Sequence, residues 1–206
     1  IHSRLLERAG KFKQGSISAL PVAELIFGDL SGFIQTNLMS MTDGHIYFDS
    51  DYFNQGRRPA INPFLSVTRV GQQAQSGLIR SASREITAFL VKIEKMRDFM
   101  HFGAELSESV RQELSLGDRL LSFFEQSTDT TIPASLSVYL VAVLWAGLIK
   151  DGDKLKLKSQ IEKMNNSYKE DVAYKQRIDS YLASKKDFSE LVYTLKQEGV
   201  QNGLAQ

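Results

Sequence analysis

The amino-acid sequence predicts an α/β segment followed by an all-α bundle, and three features carry that reading. Up to about Gly71 the chain consists of short apolar runs cut by Gly, Pro, Asn and Asp, the pattern of brief strands and turns. Beyond it, Ile79, Ala82, Ile86, Phe89, Ile93, Met96 and Met100 recur in steps of three and four, which lays one apolar stripe along a long helix. More segments of helical periodicity follow, divided by Gly, Asp, Asn and Pro.

Taken in order, Ile1 to Ala9 carries Leu5, Leu6 and Ala9 at helical spacing, so a helix opens the chain. Ser16 to Val22 and Gly44 to Phe48 read as strands, the second entered through the turn Thr42-Asp43-Gly44, where Asp-Gly tolerates positive φ. Helix, strand, connection, strand is half of an α/β sheet. The helices expected after the stripe are Ser107 to Gln126, Ala134 to Lys150, Lys154 to Asn165, Lys169 to Lys185 and Phe188 to Glu198. Gly199 to Gln206 has little to bury and is expected to fray. The expected division is residues 1–74 and 75–206.

The chain has 42% hydrophobic residues, which suits an ordinary globular protein with one core or two small ones. Twenty-five basic and 24 acidic residues leave a formal charge of +1, so no net field draws nucleic acid or an anionic membrane. Partners must then be recognised locally. The absence of cysteine removes disulfides and thiolate metal sites. His2, His45 and His101 stand without a second His or an acidic pair at ligand spacing, so no metal site is expected. The apolar stretch Leu136 to Ile149 falls short of the about 20 residues of a membrane span and reads as a buried helix. The sequence starts at Ile1 without a targeting pattern, as expected of a chain that begins inside a longer protein.

Several motifs fail on inspection. Gly10 to Ser16 (GKFKQGS) imitates a phosphate loop but lacks the Lys that must follow the second glycine. Gly28 to Gly32 (GDLSG) puts Ser31 one place late for a nucleophile elbow. Asn165-Asn166-Ser167 matches a glycosylation triplet and reads instead as helix-end chemistry. The lysines of Lys150 to Glu198 are nearly matched by acidic residues, which describes a solvated face rather than a nucleic-acid site. Met39, Met41, Met96, Met100 and Met164 read as core fillers.

An ordered set of segments carries a resemblance. His2 to Ala9 (HSRLLERA), Gly15 to Val22 (GSISALPV), Gly28-Asp29, Thr36-Asn37, Thr42-Asp43-Gly44, Arg58 to Asn62 (RPAIN), Ser66 to Gly71 (SVTRVG) and Ala74-Gln75 stand in the order and spacing of F-type rotary ATP synthase alpha subunits. The match is close from Ile1 to Gly103, thinner to about Gly147 and positional beyond. The resemblance implies the last part of a RecA-like nucleotide domain followed by the C-terminal helical domain. It implies that the phosphate-binding loop and the Mg2+ ligands lie upstream of Ile1. Alpha subunits of this family bind ATP or ADP without rapid turnover. They alternate with catalytic beta subunits around a central rotor shaft, peripheral to an energy-transducing membrane, here expected to be the cytoplasmic face of a bacterial inner membrane. Contact with the membrane is indirect, through the embedded rotor sector.

The same resemblance assigns residues. Arg69, in SVTRVG, aligns with the arginine finger that reaches the phosphates held by beta. Arginine suits that task because its planar, permanently charged fork can hold two oxygens as charge shifts. Ser40 and Val67 align with positions lining the catalytic site from the alpha side. Arg58, Pro59 and Gln126 align with positions near the adenine of alpha's own nucleotide. Read alone, Arg69 is a surface arginine at a strand end, Val67 a core residue, and Ser40 and Pro59 turn chemistry.

The chain also departs from the family pattern, with Gln35 for a proline, Pro63-Phe64 for a smaller pair, Thr68 for a serine, apolar Leu25 to Phe27, and no second glutamine, beside Gln126, near Thr128. These departures touch alpha's own nucleotide contacts and spare the finger. Two other readings stay open from the sequence. One is a helical interaction module of ATPase ancestry with no role in turnover, and the other a non-catalytic subunit of a vacuolar or archaeal rotary ATPase.

Overall fold

The computed structural model describes residues 1–26, 28–100, 107–126, 130–149 and 154–201. It divides into two compact units, Ile1–Ala74 and Gln75–Gln206.

The first unit opens with helix α1 (His2–Leu6) and a hairpin of β1 (Gly10–Phe12) and β2 (Gly15–Ile17), paired antiparallel with Gly10 opposite Ile17. The phosphate-loop imitation is thus a strand turn with no helix behind it. Helix α2 (Phe33–Met41) follows and ends at Thr42. Then β3 (Gly44–His45) pairs antiparallel with β4 (Val67–Thr68), and the excursion between them contains α3 (Ser50–Asn54). A 3-10 turn spans Gly71–Ala74.

The strands are shorter than expected. Of Ser16 to Val22 only the start is a strand, and among the described residues no strand pairs with Leu20 and Val22, which are 86% and 95% exposed. Of Gly44 to Phe48 only Gly44–His45 is a strand, although Phe48 still bridges to Ile61. Helix α2 was not expected, since its apolar residues form no stripe and none is buried. Among the described residues of this unit, Ala60 and Asn62 are the buried ones, and Phe12, Phe33, Phe48 and Phe53 are exposed. The unit therefore has almost no interior of its own.

The second unit contains the core. Helices α4 (Gly77–Met100), α5 (Glu108–Phe123), α6 (Ala134–Trp145), α7 (Lys154–Glu170), α8 (Val172–Ala183) and α9 (Phe188–Gln201) form it. Helix α6 is predominantly apolar, as a helix surrounded by others must be, and it touches each of the other five. Leu136, Leu140 and Leu144 are completely buried along it. Its end is a glycine cap: Gly147 has φ of 75°, its N–H reaches Leu144, and Leu148 N–H reaches Val143. Trp145 then packs between Phe89 of α4 and Phe188 of α9, at ring distances of 4.7 and 5.5 Å.

Helix ends follow local chemistry, and they correct two boundaries. Ser107 accepts the Val110 N–H to cap α5. Asp171 accepts the Ala173 and Tyr174 N–H groups to cap α8, so the break falls there and not near Lys169. Helix α7 consequently runs past Asn165, which is 1% exposed within it. Asn165 is a core residue, and the helix-end reading of that triplet is wrong. The expected tail lies largely outside the described residues, as do His101, Thr128 and Phe27.

Candidate functional site

Three features of the first unit hold Arg69. Strand β4 ends at Thr68, and the Arg69 N–H donates to the Asp43 carbonyl at 2.8 Å, which extends the ribbon by one bond. The two strands also approach closely: a Cβ at Gly44 would stand 2.3 Å from the Val67 carbonyl oxygen. His45 Nε2 meets the Leu65 carbonyl at 2.8 Å and pins the approach to β4. The main chain of Arg69 is thereby fixed while its side chain is exposed. Among the described residues its guanidinium makes no hydrogen bond or ion pair. Arg80 contrasts with it, donating to the Gln75 carbonyl at 3.2 Å.

Val67 sits opposite His45 on β4 and is 46% exposed, so it is not the core residue that its type suggests. Ser40 lies in the last turn of α2, just before Thr42 and Asp43. Its hydroxyl donates to the Asn37 carbonyl at 2.7 Å and is exposed. Ser40, Val67 and Arg69 thus belong to one α2–β3–β4 frame. Thr68, a departure from the family serine, still accepts the Gly71 N–H at 3.1 Å, so the hydroxyl that starts the following turn is kept.

The excursion between β3 and β4 is organised by Asp49 and Asn62. Asp49 caps α3, and its second carboxylate oxygen accepts from Asn62 Nδ2 at 2.8 Å. That hydrogen bond, with those from the Asp51 and Tyr52 N–H groups, holds the Asp49 carboxyl below its ordinary range. Buried Asn62 also accepts the Phe64 and Leu65 N–H groups, which turns the chain toward β4. Pro63 and Phe64, another departure, stand on this turn.

Arg58 and Pro59 follow α3 across a cis peptide. The Arg58 guanidinium lies 3.7 Å over the Phe53 ring and donates to the Phe53 and Arg57 carbonyls, and Arg57 stacks likewise on Tyr52. Phe53 was not singled out from the sequence, where an isolated aromatic carries no signal. The stacked fork offers a flat cationic face of the kind an aromatic base can cover. Gln126 lies in the second unit, half-buried after α5, and its amide makes no hydrogen bond among the described residues. Gln35 donates to the Glu24 carbonyl at 2.6 Å, a tie that the usual proline could not make.

Sequence comparison places this geometry. Residues 1–68 match the ATP synthase alpha/beta family, nucleotide-binding domain, and residues 75–198 match the ATP synthase alpha/beta chain, C terminal domain. The chain therefore belongs to the ATP synthase alpha/beta family, as the end of its nucleotide-binding domain followed by its helical C-terminal domain. Its relatives are alpha subunits: it is 39% identical over 182 residues to ATP synthase subunit alpha of Wigglesworthia glossinidia brevipalpis, covering 81% of this chain and 35% of the relative. It is 41% identical over 145 residues to ATP synthase subunit alpha of Neorickettsia sennetsu, covering 68% of this chain and 28% of that one. The chain thus spans about a third of the length of these curated relatives. Among the described residues no helix is long and apolar enough to cross a membrane.

Proposed function

We propose that this chain is the C-terminal part of a non-catalytic alpha subunit that supplies Arg69 in trans to a catalytic site on a beta subunit. The observation that carries the proposal is the contrast at Arg69 between a pinned main chain and an exposed guanidinium without a partner among the described residues. Arg80, by contrast, has its guanidinium engaged with the Gln75 carbonyl. A finger must stay free until the partner arrives, and a fixed backbone lowers the cost of aiming it. At the partner's site the fork would meet charge that builds on the transferring phosphoryl group. Ser40 and Val67, on the same frame, would line that site from the alpha side.

Arg58 and Pro59 would contact the adenine of a second, slowly exchanging ATP or ADP. The guanidinium stacked on Phe53 supports this role. The Mg2+ and phosphate ligands of that nucleotide would lie upstream. Assembly would alternate alpha and beta subunits around a rotor shaft. Its place would be the cytoplasmic side of a bacterial energy-transducing membrane, with turnover coupled to proton flow.

The test is Arg69→Lys in the assembled complex. Turnover should fall about a hundredfold or more with assembly intact, since the ammonium keeps the charge and loses the fork. Arg84→Lys, an exposed change on α4, should be silent. Equal rates in both would refute the proposal.

A further inference from the structure

The register that pairs Gly44 with Thr68 and His45 with Val67 runs on to Asp43 and Arg69, where the Arg69 N–H bonds the Asp43 carbonyl. Continued the other way, it would set Tyr47 opposite Leu65, and such a pair in an antiparallel ladder exchanges two backbone hydrogen bonds. Neither bond forms, and each of the four groups has another partner. The Tyr47 N–H donates to Ser66 Oγ at 3.0 Å, and the Tyr47 carbonyl accepts the Asn62 N–H at 3.0 Å. The Leu65 N–H donates to Asn62 Oδ1 at 3.1 Å, and the Leu65 carbonyl is met by His45 Nε2 at 2.8 Å.

The ribbon is thus opened at this rung with its backbone groups still satisfied. A ladder of two paired residues holds little by itself, so the line along which β4 delivers Arg69 depends on the substitutes. Asn62 and Ser66 belong to the incoming chain. His45 belongs to β3 and reaches across from it. A carbonyl only accepts, so the imidazole presents its Nε2–H to Leu65.

We propose that His45 is a positioning residue for Arg69: its imidazole anchors Leu65, four residues before the arginine, and so aims the exposed guanidinium. This rests on the reading of Arg69 as a finger. The imidazole acts through the Leu65 carbonyl and not on the substrate.

The experiment uses the assembled complex of full-length subunits and measures kcat and KM for MgATP hydrolysis, with amide exchange at residues 65–69. His45→Leu should lower kcat about tenfold or more and leave KM within about twofold, since a misaimed finger is missed chiefly in the transition state. Exchange at Arg69 should rise about tenfold while residues 136–145 stay protected. His45→Gln, whose amide can donate to the same carbonyl, should keep kcat within about twofold of the unmodified complex. His45→Asn, too short to reach, should not. Added to Arg69→Lys, His45→Leu should cost less than about twofold further, because the aimed fork is already gone. If Arg69→Lys lowers kcat and His45→Leu does not, the positioning role fails and the finger reading stands. If Arg69→Lys is silent, both fail. Should His45→Leu block assembly, the two amide variants decide, and equal kcat in His45→Gln and His45→Asn overturns the proposal.

Discussion

Ser81 of α4 accepts the Phe188 N–H at 3.2 Å, so the first turn of α9 is capped by a side chain more than a hundred residues earlier in the chain. The same hydroxyl donates to Glu85 Oε1 at 3.0 Å, and Ser189 donates to the other oxygen of Glu85. Asp187 completes the end by accepting the Glu190 N–H. Helix α9 is therefore docked by polar bonds at its start and by Phe188, Leu191 and Leu195 along its buried face.

Ser81→Ala should accordingly destabilise the helical unit by about 1 to 2 kcal/mol, the usual range for a lost cap whose partner stays buried. Ser81 is 7% exposed, so water cannot readily replace it. Urea unfolding followed by circular dichroism measures the change, and an unchanged midpoint would contradict the role. Ser189→Ala, at an exposed position, should cost less.

Gly117→Ala sets two effects against each other. Alanine favours a helix over glycine by about 1 kcal/mol. The new Cβ, however, would stand 2.9 Å from Ile93 Cγ2 and 3.0 Å from Cγ1, and Ile93 is 1% exposed. Both carbons branch from one stiff Cβ, so overpacking of about 1 to 3 kcal/mol should win. The variant should melt lower by a few degrees. Ile93→Ala combined with it should recover part of the loss relative to the sum of the single changes.

Tyr168 links α7 to α8 by donating to Asp179 Oδ1 at 2.5 Å. Burial first, then that bond and the Asp179 charge, push its phenol from 10.0 up to about 12. A raised folded value means the stabilisation is fully present below pH 10 and is lost as pH climbs from there to about 12. Tyr168→Phe should flatten that part of the stability curve. Tyr181, whose phenol is raised by burial and by its bond to Glu198, shares the range and will leave a residual slope. No change in slope on Tyr168→Phe would place the alkaline loss elsewhere.

The helices were legible because burial itself writes their pattern. The stripe from Ile79 to Met100 became α4, which begins at Gly77, and the apolar run from Leu136 became the enclosed α6. The boundary near Asn165 was missed because Asn is both a common cap and, here, a core residue, and only the distant Thr131 carbonyl distinguishes the two. Helix α2 was missed because a helix without a buried face leaves no period to find. At the candidate site the position of Arg69 was readable from its motif. The Asp43 carbonyl, the Gly44 approach and the stack on Phe53 were not, since each joins residues whose pairing no local pattern encodes.

Asn62→Ala tests the support of β4 from the other side. It removes the acceptor of the Phe64 and Leu65 N–H groups and the donor to Asp49 at a buried position. The first unit should lose about 1 to 3 kcal/mol. If Arg69 acts in trans as proposed, turnover of the assembled complex should fall with it, because the turn that delivers β4 loosens. Proteolysis at 62–66 is the independent readout, and unaltered cleavage there would show that the turn does not depend on Asn62.

Gly44→Ala separates the aim of Arg69 from its chemistry. Gly44 does not need positive φ, so the substitution adds no backbone strain of that kind. It needs space: the added carbon would meet the Val67 carbonyl oxygen at 2.3 Å and Thr68 Cα at 3.1 Å. These are backbone atoms, which cannot swing aside as the end of a side chain can. The ribbon of β3 and β4 must open, and the Arg69 N–H must lengthen or lose its bond to Asp43. The guanidinium would remain present and charged but displaced, and a shift of about 1 Å in a positioned group can cost about a hundredfold in rate. If Arg69 acts as a finger, Gly44→Ala should lower turnover of the complex as Arg69→Lys does, and the two changes together should cost little more than either. If the residues act independently, the losses should multiply. If Gly44→Ala lowers only thermal stability and turnover is kept, the frame is structural and the position of Arg69 does not matter to catalysis.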